Sequence, residues 1–221
     1  MIKLFCGYDP REAVGFHTFQ QSVMKRASKP VSFIPLSSMG LPDGSNNFTL
    51  SRFLVPYLCG FEGHAIFMDA CDMLMLGDVA ELDALYDDAY AVQVVKHTDY
   101  ESQHVRKYIG TELECAQTNY PRKNWASVML INCEHSTWSA MTPSVVKRCK
   151  PLELLQFHYF AKGEIGELPA EWNVLIDEDQ DDAEAKILHW TAGIPTFKHY
   201  QNARRSADWF AEHGAISRGR Q

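Results

Sequence analysis

The segment Ala65-Ile66-Phe67-Met68-Asp69-Ala70-Cys71-Asp72-Met73-Leu74-Met75-Leu76-Gly77-Asp78 opens with an apolar run that stops abruptly at an aspartate. An unbroken apolar run of this length, bounded by a polar break, reads as a strand buried on both faces. Asp72 follows close behind, the apolar pattern resumes from Met73 to Leu76, and Asp78 ends it. Open α/β sheets gather ligands outside the carboxyl ends of their strands, so carboxylates at that edge are candidates for chemistry.

Outward from this point the chain alternates between strand-like and helix-like segments. Residues 2–6 form a short apolar run closed by Gly7, the pattern of a buried strand ending in a loop. Asp9-Pro10 then has the N-cap and first-turn chemistry of a helix start, and Phe16, Phe19 and Val23 recur at helical spacing. A second strand is expected over 31–36. Residues 37–47, rich in Ser, Gly, Asn and Pro, read as a surface loop, and a second helix begins near Ser51 with Pro56 as a point of bending. Further strands are expected over 90–95, 127–132 and 187–190. Residues 177–184 are strongly acidic and read as a solvated loop or helix start, and the tail after Ala203 reads as a helix that frays. The class this predicts is α/β with a mainly parallel sheet.

The bulk properties narrow the function. A chain of 221 residues, 46% hydrophobic and 22% charged, is expected to fold as one domain over 1–221, with 204–221 as a frayed tail. A formal net charge of -7 opposes a large phosphate-binding surface of the sequence-independent kind, which argues against nucleic acid as the first partner. The six cysteines are scattered without CxxC pairs and mostly sit in apolar runs, as reduced buried thiols do. The N-terminal apolar run is too short for a signal peptide, and no stretch reaches the ~18 apolar residues of a spanning helix. The expected location is therefore the cytoplasm.

Asp69 and Asp72 are the leading metal candidates, because Mg²⁺ and Mn²⁺ prefer carboxylate oxygens and a single divalent ion can neutralise a nucleotide diphosphate. The plainer alternative has Asp69 capping the turn and Asp72 exposed. The apolar flanks favour the metal, since burial up to an unpaired carboxylate is costly without a cation or hydrogen bonds. A third ligand is available in Ile187-Leu188-His189-Trp190-Thr191-Ala192-Gly193, where His189 is either a neutral metal ligand or a core histidine bonded to a carbonyl. Gly193 would permit close backbone approach to a phosphate.

These residues resemble family 8 and related glycosyltransferases. Phe67-Met68-Asp69-Ala70-Cys71-Asp72-Met73-Leu74 is similar to their metal-binding strand end. Gly7-Tyr8-Asp9-Pro10-Arg11-Glu12 is similar to the donor-nucleotide loop of bacterial and phage relatives, and Ser51-Arg52-Phe53-Leu54-Val55-Pro56 to the arginine-bearing helix after it. The segment from Tyr120 to Leu130 is similar to their acceptor-side strand, while the segments from Ile165 to Asn173 and His189 to Pro195 complete an ordered series over most of the chain. The resemblance implies a single-domain, Rossmann-like fold of the glycosyltransferase A type with a mixed, mainly parallel sheet. It also implies a Mn²⁺ or Mg²⁺ cofactor, a UDP-sugar donor, a glycan or other hydroxyl acceptor, and retention at the anomeric carbon. By position, Asp69, Asp72 and His189 would hold the metal. Tyr8 and Asp9, with Arg11 in the same loop, would contact base or ribose, and Arg52 would face ribose or diphosphate.

Three departures stand out. Ala70 and Cys71 separate the aspartates where the usual motif has one residue, so both carboxylates reach one ion only if the turn bulges. Lys162-Gly163-Glu164 replaces the usual acid and amide, leaving Glu164 as the candidate nucleophile or else a solvated side chain. The lysine usual after the histidine is missing at its spacing, and Lys198 lies further along. With no secure nucleophile, the favoured route to retention brings the acceptor in on the leaving-group face. Asn124 and Ser127 are candidates to hold sugar hydroxyls, Trp125 to stack on a sugar ring, and Arg52 or Lys198 to add charge stabilisation. Lys96-His97 reads either as a donor contact or as a solvated pair. Two rival functions remain: a non-catalytic nucleotide- or sugar-binding module, and transfer to modified DNA, prompted by Arg204, Arg205, Arg218 and Arg220 in the tail.

Overall fold

Ile2, Leu4, Phe5 and Cys6 are all buried, and the strand they form, β1 (Ile2–Gly7), lies inside the main sheet with a partner on each side. The computed structural model describes residues 1–42, 44–178 and 180–217. Its main sheet contains β2 (Val31–Leu36), β3 (His64–Met68), β5 (Val92–Val94), β8 (Val128–Asn132) and β9 (Ile165–Glu167), in the order β2-β1-β3-β8-β5-β9. β8 runs antiparallel to both neighbours, β3 and β5, and the other pairings are parallel. The mixed, mainly parallel sheet expected from the sequence is therefore present. β2 pairs on one side only, which is where a strand containing Pro35 can sit without losing a ladder bond.

A second, smaller sheet positions the candidate site. β4 (Met73–Met75) pairs antiparallel with β11 (Ile187–His189), which pairs in parallel with β10 (Val174–Leu175). A separate hairpin, β6 (Arg106–Lys107) with β7 (Cys115–Ala116), lies outside both sheets. The short strands β6, β7, β9 and β10 were not expected from the sequence, whereas β5 and β11, also short, lie within the apolar runs 90–95 and 187–190 that read as strands.

Helices cover the sheet as the apolar spacing requires. Asp9 caps a 3-10 turn, Pro10–Glu12, that leads into α1 (Ala13–Arg26), and Phe16, Phe19 and Val23 form its buried face. The helix expected from Ser51 is split into a 3-10 turn, Ser51–Leu54, and one α turn, α2 (Val55–Leu58). Pro56 has no N–H to return to Arg52, whose carbonyl accepts from Val55 instead. The remaining helices are α3 (Val79–Asp83), α4 (Pro143–Val146), α5 (Pro151–Leu155) and α6 (Ser206–Ser217). α6 is held to α1 by Glu212, which bonds Lys25 at 2.9 Å and Arg26 at 2.7 Å. Among the described residues no helix is long and apolar enough to cross a membrane, and all six cysteines are free.

Two readings of charged segments need correction. Asp177 and Glu178 are not solvated. Asp177 accepts from the Ala192 and Thr191 amides at 2.7 and 3.2 Å, and Glu178 accepts from Tyr100, Ser102 and the Gln103 amide, because loops fold over both acids. In the tail, Arg204 and Arg205 pair with Asp182 at 2.6 and 3.0 Å, and Arg205 also pairs with Asp208. Arg218 and Arg220 lie outside the described residues.

α1 meets the Asp69–Asp72 turn through Gly15, where a Cβ would fall 1.9 Å from the Cys71 carbonyl oxygen. Gly15→Ala is expected to lower unfolding stability by about 1–3 kcal/mol through overpacking. Gly163→Ala, where an added Cβ meets nothing within 4 Å, is expected to stay near wild type. Urea unfolding of the two variants beside the parent checks this contrast.

Candidate functional site

β3 delivers Asp69 to the carboxyl edge of the main sheet, and the chain reverses there in a very tight turn. The Cys71 amide donates back to the Asp69 carbonyl at 2.7 Å, with Ala70 between them at φ +62°. A hydrogen bond spanning two residues around a left-handed alanine is a strained γ-turn. It supplies the bulge that the two-residue spacing required. The Met73 amide then bonds the Ala70 carbonyl at 3.2 Å, and β4 departs. Pairing of His189 with Met73 across β11 and β4, together with a 2.9 Å bond from the Trp190 amide to the Asp72 carbonyl, brings the imidazole beside Asp72.

The result is a buried triad. One ligand atom from each of Asp69, Asp72 and His189 lies within 4.8 Å of the others. Asp72 Oδ2 is 3.4 Å from His189 Nε2, while the buried Asp72 Oδ1 has no hydrogen-bond partner. His189 Nδ1 meets Asn173 Oδ1 at 2.8 Å, and Asn173 Nδ2 donates to the Asn124 carbonyl at 3.2 Å. With its amide nitrogen so engaged, Asn173 presents an acceptor, which places the proton on Nδ1 and leaves Nε2 facing the carboxylates.

Asp69 is held from two further sides. Its amide donates to the Ser127 carbonyl at 2.9 Å, and its Oδ1 lies 2.6 Å from Arg52 Nη1. The Arg52 guanidinium also donates to the Ala126 carbonyl at 2.8 Å and sits near the rings of Phe48 and Phe67, 5.3 and 5.0 Å from their centroids. Burial pushes Asp69 up to about 6, with the charge of Asp72 adding to the rise and Arg52 and His189 opposing it. Burial also opposes protonation of His189, but the carboxylates of Asp72, Asp69 and Asp177 outweigh it and its pKa is raised. Glu12, buried and with neither carboxylate oxygen bonded, is pushed well up by burial and by the charges of Asp72 and Asp9. Two carboxylates and an imidazole, with an unpartnered buried oxygen among them, fit a divalent cation.

The triad floors a cavity of about 70 Å³ lined also by Arg52, Asn124, Ser127, Lys107, Tyr108 and Tyr120. Two neighbouring spaces share some of these residues: one of about 220 Å³ bounded by Lys107, Lys123 and Asn124, and one of about 710 Å³ bounded by Tyr120, Trp125, Arg122 and Lys96. Asn124 takes a left-handed φ of +63°, which asparagine tolerates, and its Nδ2 has no partner. The sequence candidates Asp69, Asp72, His189, Arg52, Asn124 and Ser127 are thus brought together.

The other candidates do not line this cavity. Asp9 accepts from Arg11 Nε and Nη2 at 2.8 and 2.6 Å and from the Asn47 amide at 3.1 Å, so its oxygens clamp two loops together. Burial would raise its pKa, but the Arg11 bonds bring it below the ordinary value. Tyr8 packs edge-on against Phe16. An added Cβ on Gly193 would strike the Tyr200 ring at 2.5 Å, so the bare glycine makes room for that ring. Lys198 is exposed in a 3-10 turn. Glu164 bonds Thr137 Oγ1 and the Ala161 amide, each at 2.7 Å. By strand register it is level with His64, five residues before Asp69, or about 16 Å along the sheet from the triad. Asn173, Lys107, Tyr108 and Tyr120 were not singled out from sequence. Asn173 and Tyr120 lie within segments that carried the family resemblance, and Lys107 and Tyr108 had no signal of spacing or composition.

Protein CDI of Arabidopsis thaliana is 34% identical to this chain over 227 residues, covering 96% of the chain and 85% of that protein. The chain belongs to the CDI family. No family model matches the sequence. Among solved structures, this CDI-family chain is similar to the apo form of the glycosyltransferase GlyE of Streptococcus pneumoniae (TM-score 0.64, 12% identity, 96% of the chain). It is also similar to the bifunctional glycosyltransferase WbbM (0.60, 13%, 96%) and to the galactosyltransferase LgtC in complex with donor and acceptor sugar analogs (0.59, 13%, 97%). It spans 51% of WbbM and 60% of GlyE but 96% of LgtC. The CDI-family chain therefore has the fold of these glycosyltransferases.

Two outcomes follow from the triad's geometry. Asn173→Ala should weaken Mn²⁺ binding about 10–100-fold by releasing the imidazole's orientation, measured by calorimetric titration. Because a cation needs Asp69 deprotonated and His189 Nε2 free, and both groups favour protons more than usual, Mn²⁺ affinity should climb as the pH rises through about 6. Electron paramagnetic resonance titrations between about pH 5 and pH 8 would contradict this if affinity were flat or fell with rising pH.

Proposed function

We propose that this chain is a metal-dependent, retaining glycosyltransferase of the family 8 kind, transferring a sugar from a UDP-sugar to a glycan or other hydroxyl acceptor. The observation that carries the reading is the unpartnered, buried Asp72 Oδ1 within the Asp69–Asp72–His189 cluster, at the sheet edge of a glycosyltransferase fold. Asp69, Asp72 and His189 would hold Mn²⁺ or Mg²⁺, which supplies Lewis-acid stabilisation of the diphosphate leaving group.

The chain's own residues supply the rest. Arg52 keeps positive charge against Asp69 and fixes its carboxylate, so the ligand does not have to reorganise when the donor arrives. Ser127 and Asn124 line the same cavity, and the free Nδ2 of Asn124 is available to a sugar or phosphate oxygen. Glu164 lies at the opposite edge of the sheet and is already engaged by Thr137 and Ala161. Among the described residues lining the cavity, Asp69 and Asp72 are the only carboxylates, and both belong to the cation site. This supports retention by entry of the acceptor on the leaving-group face, with the departing phosphate oxygen accepting the acceptor's proton. LgtC, solved with donor and acceptor sugar analogs, shares this fold over nearly its whole length, which supports a donor and an acceptor as the ligands here.

Release of UDP from a panel of UDP-sugars, with Mn²⁺ and with chelator, tests the proposal. Metal-dependent release is expected, and Asp72→Asn or His189→Ala should reduce it about a hundredfold or more, the loss of several kcal/mol of charge stabilisation. UDP binding without any release would make the chain a binding module, and absence of both would remove the nucleotide-sugar reading.

A further inference from the structure

The cavity above the triad is lined by two cationic side chains other than the imidazole, and they differ in one respect. Arg52 is committed to Asp69 and to the Ala126 carbonyl. Lys107 has no ion pair or hydrogen bond from its ammonium among the described residues, and the ammonium lies 5.0 Å from the centroid of the Tyr108 ring. Lys107 lines both the triad cavity and the adjoining space of about 220 Å³. The other lysine of that space, Lys123, is buried and donates to Gln117 Oε1 at 3.0 Å and to the Thr118 carbonyl at 2.5 Å. Its pKa is brought down to about 8, first by burial and then by the neighbouring charge of Lys107. Burial and the charges of Asp72 and Asp9 raise the pKa of Glu12, and Lys107 partly opposes that rise.

The backbone that carries Lys107 is fixed. The Tyr108 amide donates to the Ala192 carbonyl at 2.6 Å and the Ile109 amide to the Tyr200 hydroxyl at 3.0 Å. Arg106 and Gly110 both bind Glu114, at 2.7 and 2.9 Å, and Tyr108 is buried. The loop after His189 is thus occupied in holding the β6–β7 hairpin, and the lysine expected on that loop, Lys198, faces solvent. A rigid stem bearing a flexible, uncommitted ammonium beside a cation site is suited to a phosphate group that also reaches the metal.

We propose that Lys107 is the diphosphate-contacting lysine of this protein, binding a phosphate of the nucleotide-sugar donor beside Asp69, Asp72 and His189. This rests on the nucleotide-sugar reading above. Calorimetric titration of UDP, UMP and uridine in the presence of Mn²⁺ tests it on the parent chain and on Lys107→Gln, Lys107→Arg and Lys198→Gln. Lys107→Gln should weaken UDP binding about tenfold, the size of one charge-assisted contact, and leave uridine unaffected. Lys107→Arg should recover most of the loss, and Lys198→Gln should behave as the parent. Mn²⁺ binding followed by paramagnetic resonance should be retained in Lys107→Gln, which separates loss of a phosphate contact from collapse of the triad. UDP binding by Lys107→Gln equal to the parent would overturn the assignment while leaving the nucleotide-sugar reading intact. Failure of the parent itself to bind UDP with Mn²⁺ would remove both.

Discussion

Two carboxylates are carried into a buried space within 4.8 Å of each other and of an imidazole, and the surrounding architecture exists to make that arrangement tolerable. An ionised carboxylate taken out of water is strongly disfavoured unless charge or hydrogen bonds compensate, and two adjacent ones repel. Arg52 answers for Asp69 and His189 partly for Asp72, yet one oxygen of Asp72 is left without a partner. A divalent cation would meet this deficit directly. Lys107 adds a positive charge at the margin of the same site, while burial and the nearby aspartates favour the neutral form of Glu12.

Holding these groups in place requires segments far apart in the chain. The γ-turn at Ala70 bends the two aspartates toward one point, and Gly15 lets α1 approach the Cys71 carbonyl closely enough to brace that turn. The start of β8 supports Asp69 through the Ser127 carbonyl, while β11 brings His189 up against β4. Asn173, next to β10, orients the imidazole and ties it to the Asn124 loop. Left-handed backbone occurs around the site at Ala70, Tyr108 and Asn124, and also at other positions such as Phe61 and Phe157.

Much of the fold was legible from residue pattern because its central strands are long and unbroken in apolar character. β1, β3 and β8 were readable for that reason, as was α1 from Phe16, Phe19 and Val23. The hairpin carrying Lys107 and the strands β9 and β10 were not, since these short strands, unlike β5 and β11, are not marked by an apolar run that reads as a strand. The same limit governed the acids. Asp177 and Glu178 look like a solvated run in sequence, but Thr191, Ala192, Tyr100 and Ser102 reach them from distant loops.

What the sequence determined by itself was the alternation of elements and the abrupt end of an apolar strand at Asp69, because burial of a strand is written in its local composition. The candidacy of Asp69, Asp72, His189 and Arg52 also came from sequence, partly through family resemblance. Tertiary structure alone decided that the widened aspartate spacing closes through a left-handed Ala70, and that Asp9 clamps loops together. It likewise set Glu164 at the wrong edge of the sheet and brought Lys107 over the cavity while Lys198 faces solvent. Those outcomes depend on strand register and on loops packing across the sheet, and both are properties of residues that are remote in the chain.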